Sequence, residues 1–117
     1  MSTVSVSTFT ATLYVGFKER DTGRSHTLDE LHTLVGSYCN REGDCVTITP
    51  TYFKYRNGGE PGAAIGFINY PRFERDIADI RDRALRLADK IMRRFNQYRV
   101  SVVFPDITVM LSNENLT

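Results

Sequence analysis

The densest run of chemically capable side chains in this 117-residue chain is Tyr52-Phe-Lys-Tyr55-Arg56-Asn-Gly-Gly-Glu60-Pro-Gly62. Its glycines let backbone approach a bound molecule closely. Tyr52 and Tyr55 can stack on a heteroaromatic ring. Glu60 can hold an ammonium group or take a proton. Lys54 and Arg56 can meet a carboxylate or a phosphate. Gly66, in the segment that follows, suggests another close approach by backbone or ligand. Read plainly, the same residues also describe a loop at the tip of a β-hairpin, with a polar end and tyrosines that pack locally.

Other chemistries find less support. Arg72, Arg75, Arg81, Arg83, Arg86, Lys90, Arg93 and Arg94 could track phosphates along one helix. Glu74, Asp76, Asp79, Asp82 and Asp89 interleave with them at pairing distance, so a solvated ion-pair face is the favoured reading. Ser25, His26 and Asp29 lie close in sequence, but no nucleophile elbow surrounds the serine. His26, just before a helix start, reads as a surface residue. Cys39 and Cys45, with His26 and His32, match no zinc-ligand spacing. A disulfide between the two cysteines is not expected to persist in a reducing cytosol. No metal and no cofactor is expected.

The elements that must position these residues are legible from periodicity. Residues 8–17 alternate, with Phe9, Ala11, Leu13, Val15 and Phe17 on one face and Thr10, Thr12 and Tyr14 on the other, which predicts a half-buried strand. Thr27-Leu-Asp-Glu30 is a capping box, in which the threonine takes an orphan N–H and the glutamate reaches back. Leu28, Leu31, Val35 and Tyr38 then form one apolar stripe of a helix ended near Gly43. Residues 45–56 read as a strand in which Pro50 marks a bulge or an edge. Residues 63–70 form the third strand. Residues 75–95 form a long helix with Ile77, Ile80, Ala84, Leu87, Ala88, Ile91 and Phe95 inward, and with Asp79/Arg83, Asp82/Arg86 and Asp89/Arg93 as i,i+4 pairs. Residues 100–104 form the fourth strand. Pro105-Asp106 turns or kinks it before residues 107–111 continue the β pattern.

This order predicts an α+β fold, a ferredoxin-like βαββαβ two-layer sandwich with a four-stranded antiparallel sheet and two helices on one face. Residues 1–117 form one domain, with 1–7 and 112–117 expected to fray. The open face of the sheet is neither uniformly apolar nor uniformly charged, and a homo-oligomer covering it is expected. Hydrophobic and charged contents of 41% and 25% are ordinary for a globular domain. A net charge of +1 argues against a nucleic-acid partner, whose binding rests on phosphate neutralisation. No apolar run reaches membrane length, and residues 1–10 lack the basic start and apolar centre of a signal peptide. A cytoplasmic protein with no membrane partner is the expectation.

Two family resemblances bear on function. Leu13-Tyr-Val-Gly-Phe17 and Gly66-Phe-Ile-Asn-Tyr70 look like the paired strand motifs of RNA-recognition modules, with Tyr14 and Phe67 at stacking positions. Ala63 and Ala64 stand where that family has a basic residue and a glycine, and Ile65 replaces its first aromatic. Over more of its length the chain resembles small phage-encoded S-adenosylmethionine (SAM) lyases and their uncharacterised phage relatives, which have a ferredoxin-like, PII-like fold. The residues that carry this resemblance are Leu13–Gly16, Tyr52, Gly58-Gly59, Glu60, Gly62-Ala63-Ala64-Ile65 and Gln97–Val100. It implies a trimer with sites between subunits, acting in the host cytoplasm. It also implies a step in which the substrate's own carboxylate displaces methylthioadenosine, leaving homoserine lactone. Glu60 and Tyr52 would then be catalytic, and Tyr55, Arg56, Gly62, Gly66 and Tyr14 would line the site of an adenosine-containing small molecule. The alternatives are a non-catalytic oligomeric binder of a nucleotide-like molecule, serving as a regulator or as a sponge against host signalling, and an RNA-binding or protein-interaction module.

Overall fold

Alternation in the first strand sets the sheet. A computed structural model describes residues 1–113 of the chain. Phe9, Ala11, Leu13, Val15 and Phe17 are all buried, and β1 (Thr10–Gly16) occupies the centre of a sheet ordered β2-β3-β1-β4-β5. The other strands are β2 (Thr47–Tyr55), β3 (Gly58–Ile68), β4 (Arg99–Val103) and β5 (Thr108–Ser112), and every pairing is antiparallel. The helices α1 (Leu28–Glu42) and α2 (Ile77–Arg94) supply the second layer. Ile80, Ala84, Leu87, Ala88, Ile91 and Met92 of α2 join Leu31, Leu34, Val35 and Tyr38 of α1 over the inward residues of the sheet. The α+β class is therefore as expected.

The strand count is corrected from four to five. Pro105-Asp106 makes a full reversal, closed by a bond from the Phe104 N–H to the Ile107 carbonyl (2.9 Å) and by Asp106 Oδ1 accepting from the Ile107 N–H (3.0 Å). The chain then returns antiparallel to β4 as β5. Ser112, expected to fray, closes that strand, and the Asn113 N–H donates to the Tyr98 carbonyl. The remaining residues of that expectation, 114–117, lie outside the described residues.

A second correction concerns the Gly-rich run. It is not a loop: β2 and β3 pair from Thr47↔Gly66 to Tyr55↔Gly58, so only Arg56 and Asn57 lie outside the ladder. Asn57 takes a left-handed conformation (φ 62°) to close the turn, which asparagine tolerates better than most residues. Pro50 sits in β2, an edge strand, where a missing donor is tolerated. Ile77, placed in the apolar stripe by its spacing, is the first residue of α2 and is exposed.

Thr27 caps α1 as its spacing predicts, Oγ1 accepting from the Glu30 N–H at 3.1 Å, and Gly43 ends the helix in the left-handed region (φ 68°). The reciprocal half of the box is present too, the Glu30 carboxylate accepting from the Thr27 backbone N–H while it also meets His26. His26, expected at the surface, is buried. Its Nδ1 lies 2.7 Å from Glu30 Oε2 and its Nε2 lies 2.5 Å from Glu19 Oε2, and its ring stacks on Phe95 at 4.3 Å. Two carboxylates and one aromatic face thus pin the β1–α1 connection to the end of α2. Sequence proximity hides this arrangement, because Phe95 is brought in by the fold.

This cluster makes stability depend on pH. Burial raises the Glu19 carboxyl, but hydrogen bonds from Thr22, His26 and Asn96 outweigh that and hold it below the ordinary glutamate value of 4.5. The hydrogen bond from His26 does the same for Glu30. A depressed carboxyl contributes stability that is present above its unfolded pKa and is lost as pH falls through its folded one. The urea midpoint should therefore fall as pH drops from about 5 toward 3. A Glu19→Gln variant should show a shallower fall over the same window, and a parallel fall in the two proteins would exclude this cluster as its source.

Candidate functional site

At the end of the sheet where β1 stops and β4 begins, Lys18, Arg20, Tyr55, Glu60, Gln97, Tyr98 and Arg99 enclose a cleft of about 370 Å³. Pairing brings them there. Gly16 lies opposite Gly62, and the chain after β1 stays tied to β3 through the Phe17 N–H and the Pro61 carbonyl (3.0 Å). The Lys18 N–H donates to Glu60 Oε2 at 2.8 Å. The Glu60 carboxylate lies directly over Gly16, where a Cβ would meet Oε2 at 2.8 Å. A glycine at that position is what lets the carboxylate reach Lys18.

The far wall comes from the α2–β4 connection. Buried Gln97 donates through Nε2 to the Lys18 carbonyl (3.1 Å) and the Phe95 carbonyl (3.1 Å), joining the two sides of the cleft. The Tyr98 hydroxyl donates to Asp21 (3.2 Å), and the Arg20 guanidinium sits 4.6 Å above the Tyr98 ring. Desolvation and the Asp21 carboxylate both push the Tyr98 phenol above its ordinary pKa, so it stays a neutral donor. The cleft therefore offers one carboxylate to a ligand cation, the cations of Lys18, Arg20 and Arg99 to a ligand anion, and the rings of Tyr55 and Tyr98 to a flat group. Such a set suits a zwitterionic head joined to an aromatic base.

The structure brings together Glu60 and Tyr55 of the residues expected from sequence. It separates Tyr52 from both. Phe53 pairs with Glu60 and Tyr55 with Gly58, whereas Tyr52 pairs with Pro61. Alternation then puts Tyr52 on the opposite face of the hairpin from Glu60. Tyr52 is 59% exposed, lies against Gly59, and has the Lys54 ammonium 5.9 Å from its ring. Arg56 is exposed at the turn. Tyr14 stands on the helix-free face and does not line the cleft. Gly62 is closed off by the Val15 carbonyl and the Phe53 ring, and Gly66 by Thr47 Oγ1. Both glycines serve strand packing within this chain.

Sequence reading missed Lys18, Arg20, Tyr98 and Arg99. Lys18 and Arg20 sit in and beside a stretch that reads as an ordinary polar loop, and nothing in spacing links them to residues 97–99. The Gln97–Val100 segment carries part of the family resemblance, but its hold on Lys18 depends on a contact across 79 positions.

Neither a protein-family model nor a curated protein matches the chain. Solved structures do. A phage SAM lyase in its apo state superposes with a TM-score of 0.72 at 15% identity, over 91% of this chain and 90% of that one. A phage SAM lyase in complex with S-methyl-5′-thioadenosine superposes with a TM-score of 0.75 at 15% identity, over 97% and 96%. The fold is shared with phage SAM lyase. The match runs through nearly the whole chain.

The glycine geometry separates two substitutions of equal size. Gly62→Ala drives a methyl into the Val15 carbonyl of the neighbouring strand and should cost about 1–3 kcal/mol in urea unfolding. Gly66→Ala meets only the Thr47 hydroxyl, which can rotate away, and should cost under about 1 kcal/mol. Equal losses would contradict the packing described.

Proposed function

We propose that this chain is a SAM lyase that converts S-adenosylmethionine to methylthioadenosine and homoserine lactone. The observation that carries the reading is the fold shared over 97% of the chain with a phage SAM lyase solved with methylthioadenosine. The cleft beside Glu60 supports it with groups matched to the two ends of such a substrate.

The chemistry asks little of the protein. The substrate carboxylate oxygen attacks its own γ-carbon, the new C–O bond closes the lactone, and the C–S electron pair leaves with the sulfur as neutral methylthioadenosine. No external nucleophile and no net proton transfer is needed. A sulfonium already leaves well, so the task is to hold the carboxylate in line with that carbon, which is catalysis by orientation. Glu60 holds the substrate ammonium, Arg99 or Lys18 steers the carboxylate before attack, and Tyr55 packs on the adenosine. Tyr52 faces the sulfonium in a cation–π contact.

Tyr52 and Glu60 point to opposite sides of one hairpin, so a site that uses both must take them from two copies. We place the site between subunits of a homo-trimer for that reason. Tyr14, Ile68, Val103 and Met110, exposed on the helix-free face, support association through that face. Among the described residues no helix is long and apolar enough to cross a membrane, and a phage enzyme of this kind would work in the host cytoplasm.

Purified protein incubated with SAM should yield methylthioadenosine and homoserine lactone by mass spectrometry, well above a blank without protein. Glu60→Gln keeps an oxygen for the Lys18 N–H, so the fold should survive while turnover falls by roughly 100-fold. Light scattering should give the mass of three chains. SAM bound without products would favour the non-catalytic binder, and no binding at all would remove the reading.

A further inference from the structure

The basic residues of α2, together with Arg75 just before it, divide into two sets. Arg75, Arg81, Arg83, Arg86 and Arg93 each have a carboxylate within ion-pair distance. Arg83 is the hub of these, reaching Asp79 and Asp44 at 3.1 Å and the Glu42 carbonyl at 3.2 Å. Lys90 and Arg94 follow one turn apart and, among the described residues, have no such partner. They face a groove between α1 and α2 of about 620 Å³, whose other cations are Arg24 and Arg41. Arg24 comes from the loop before α1 and Arg41 from the last turn of α1, so three separate segments deliver positive charge to one concavity.

The acids around this groove offset its charge only in part. Glu30 is the carboxylate among its lining residues, and it is shared between His26 at 2.7 Å and the charge of Arg24. Glu42 touches Arg41 at 3.7 Å, but it also holds Arg86 at 3.2 Å. Asp89 is turned to Arg93, with both oxygens at 3.1 Å. Two like charges at i,i+4, such as Lys90 and Arg94, oppose helix formation. The chain as a whole carries a net charge of only +1, so this concentration is local. The groove has the volume of a small-molecule site, with the Ser37 hydroxyl at its wall and a floor made rigid by Leu34 and by the His26–Phe95 stack.

We propose that the α1–α2 groove is a second ligand site that binds a small molecule through a di- or triphosphate group. Several cations arranged around one concavity match the clustered charge of a polyphosphate better than a single carboxylate, and guanidinium groups bind phosphate oxygens in a fork. The site lies on the helical layer, away from the Glu60 cleft at the end of the sheet, and stands whether or not the chain is a lyase.

Calorimetric titration with inorganic tripolyphosphate, at low salt and with sulfate as control, should show saturable binding of one molecule per chain, weakening as salt rises. ATP in place of tripolyphosphate distinguishes the source: equal affinity assigns recognition to the phosphates alone, and tighter ATP binding adds a nucleoside contact. The double substitution Lys90→Glu/Arg94→Glu should weaken binding by roughly tenfold or more. Arg24→Gln/Arg41→Gln, on the opposite wall, should do the same if the first pair perturbs the helix. Glu60→Gln should leave the affinity unchanged. Absence of saturable binding, or wild-type affinity in both double variants, would overturn the proposal. So would a single-stranded RNA that binds more than about tenfold tighter than ATP and is lost in the same variants, since the groove would then be a nucleic-acid surface.

Discussion

Everything in this molecule is hung from β1. It is the central strand of the sheet, held between β3 and β4, and its inward residues are almost completely excluded from water. Leu13 and Val15 touch the helical layer while Gly16, one step further, ends the strand under the Glu60 carboxylate. A strand read in steps of two has no freedom to compromise between these roles. Core packing fixes its register, and the register then fixes which residues arrive at the end of the sheet. The cleft is a consequence of how β1 is buried.

Most of the architecture was legible because period and punctuation agreed. The alternation of residues 9–17, the threonine and glycine that bracket α1, and the stripe of α2 are local signals that the tertiary structure had no reason to override. The errors have physical causes. Pro105-Asp106 permitted either a kink or a reversal, and the difference lies in hydrogen bonds between residues 104 and 107 that spacing does not encode. The run of glycines after Asn57 read as a loop because glycine weakens strands on average. Here each small residue makes room for a large one across the ladder, Phe53 over Gly62 and Tyr52 against Gly59.

The site was half legible for a related reason. Glu60 and Tyr55 stood out by type, and they do share a cleft. Their partners come from the β1–α1 and α2–β4 connections, which the Gln97–Lys18 bond and the Tyr98–Asp21 bond hold together. His26 shows the same limit from the other side. A histidine before a helix cap is ordinarily solvent-facing, and what buries this one is Phe95, a residue 69 positions away (95 minus 26).

The two-sided hairpin has a further consequence, for how its length can change. Because β2 is paired with β3 along its whole length, adding or removing one residue between Tyr52 and Tyr55 would exchange the faces of every residue beyond it. Tyr55 would leave the cleft, and the Phe53–Gly62 contact would break. Changes inside the ladder are therefore constrained in parity as well as in size: two residues shift the register but keep the faces, whereas one shifts the register and exchanges them. Only the turn at Arg56 and Asn57 stands outside this rule. Natural variation in hairpin length should concentrate there, with the paired segments on either side changing in composition before they change in number.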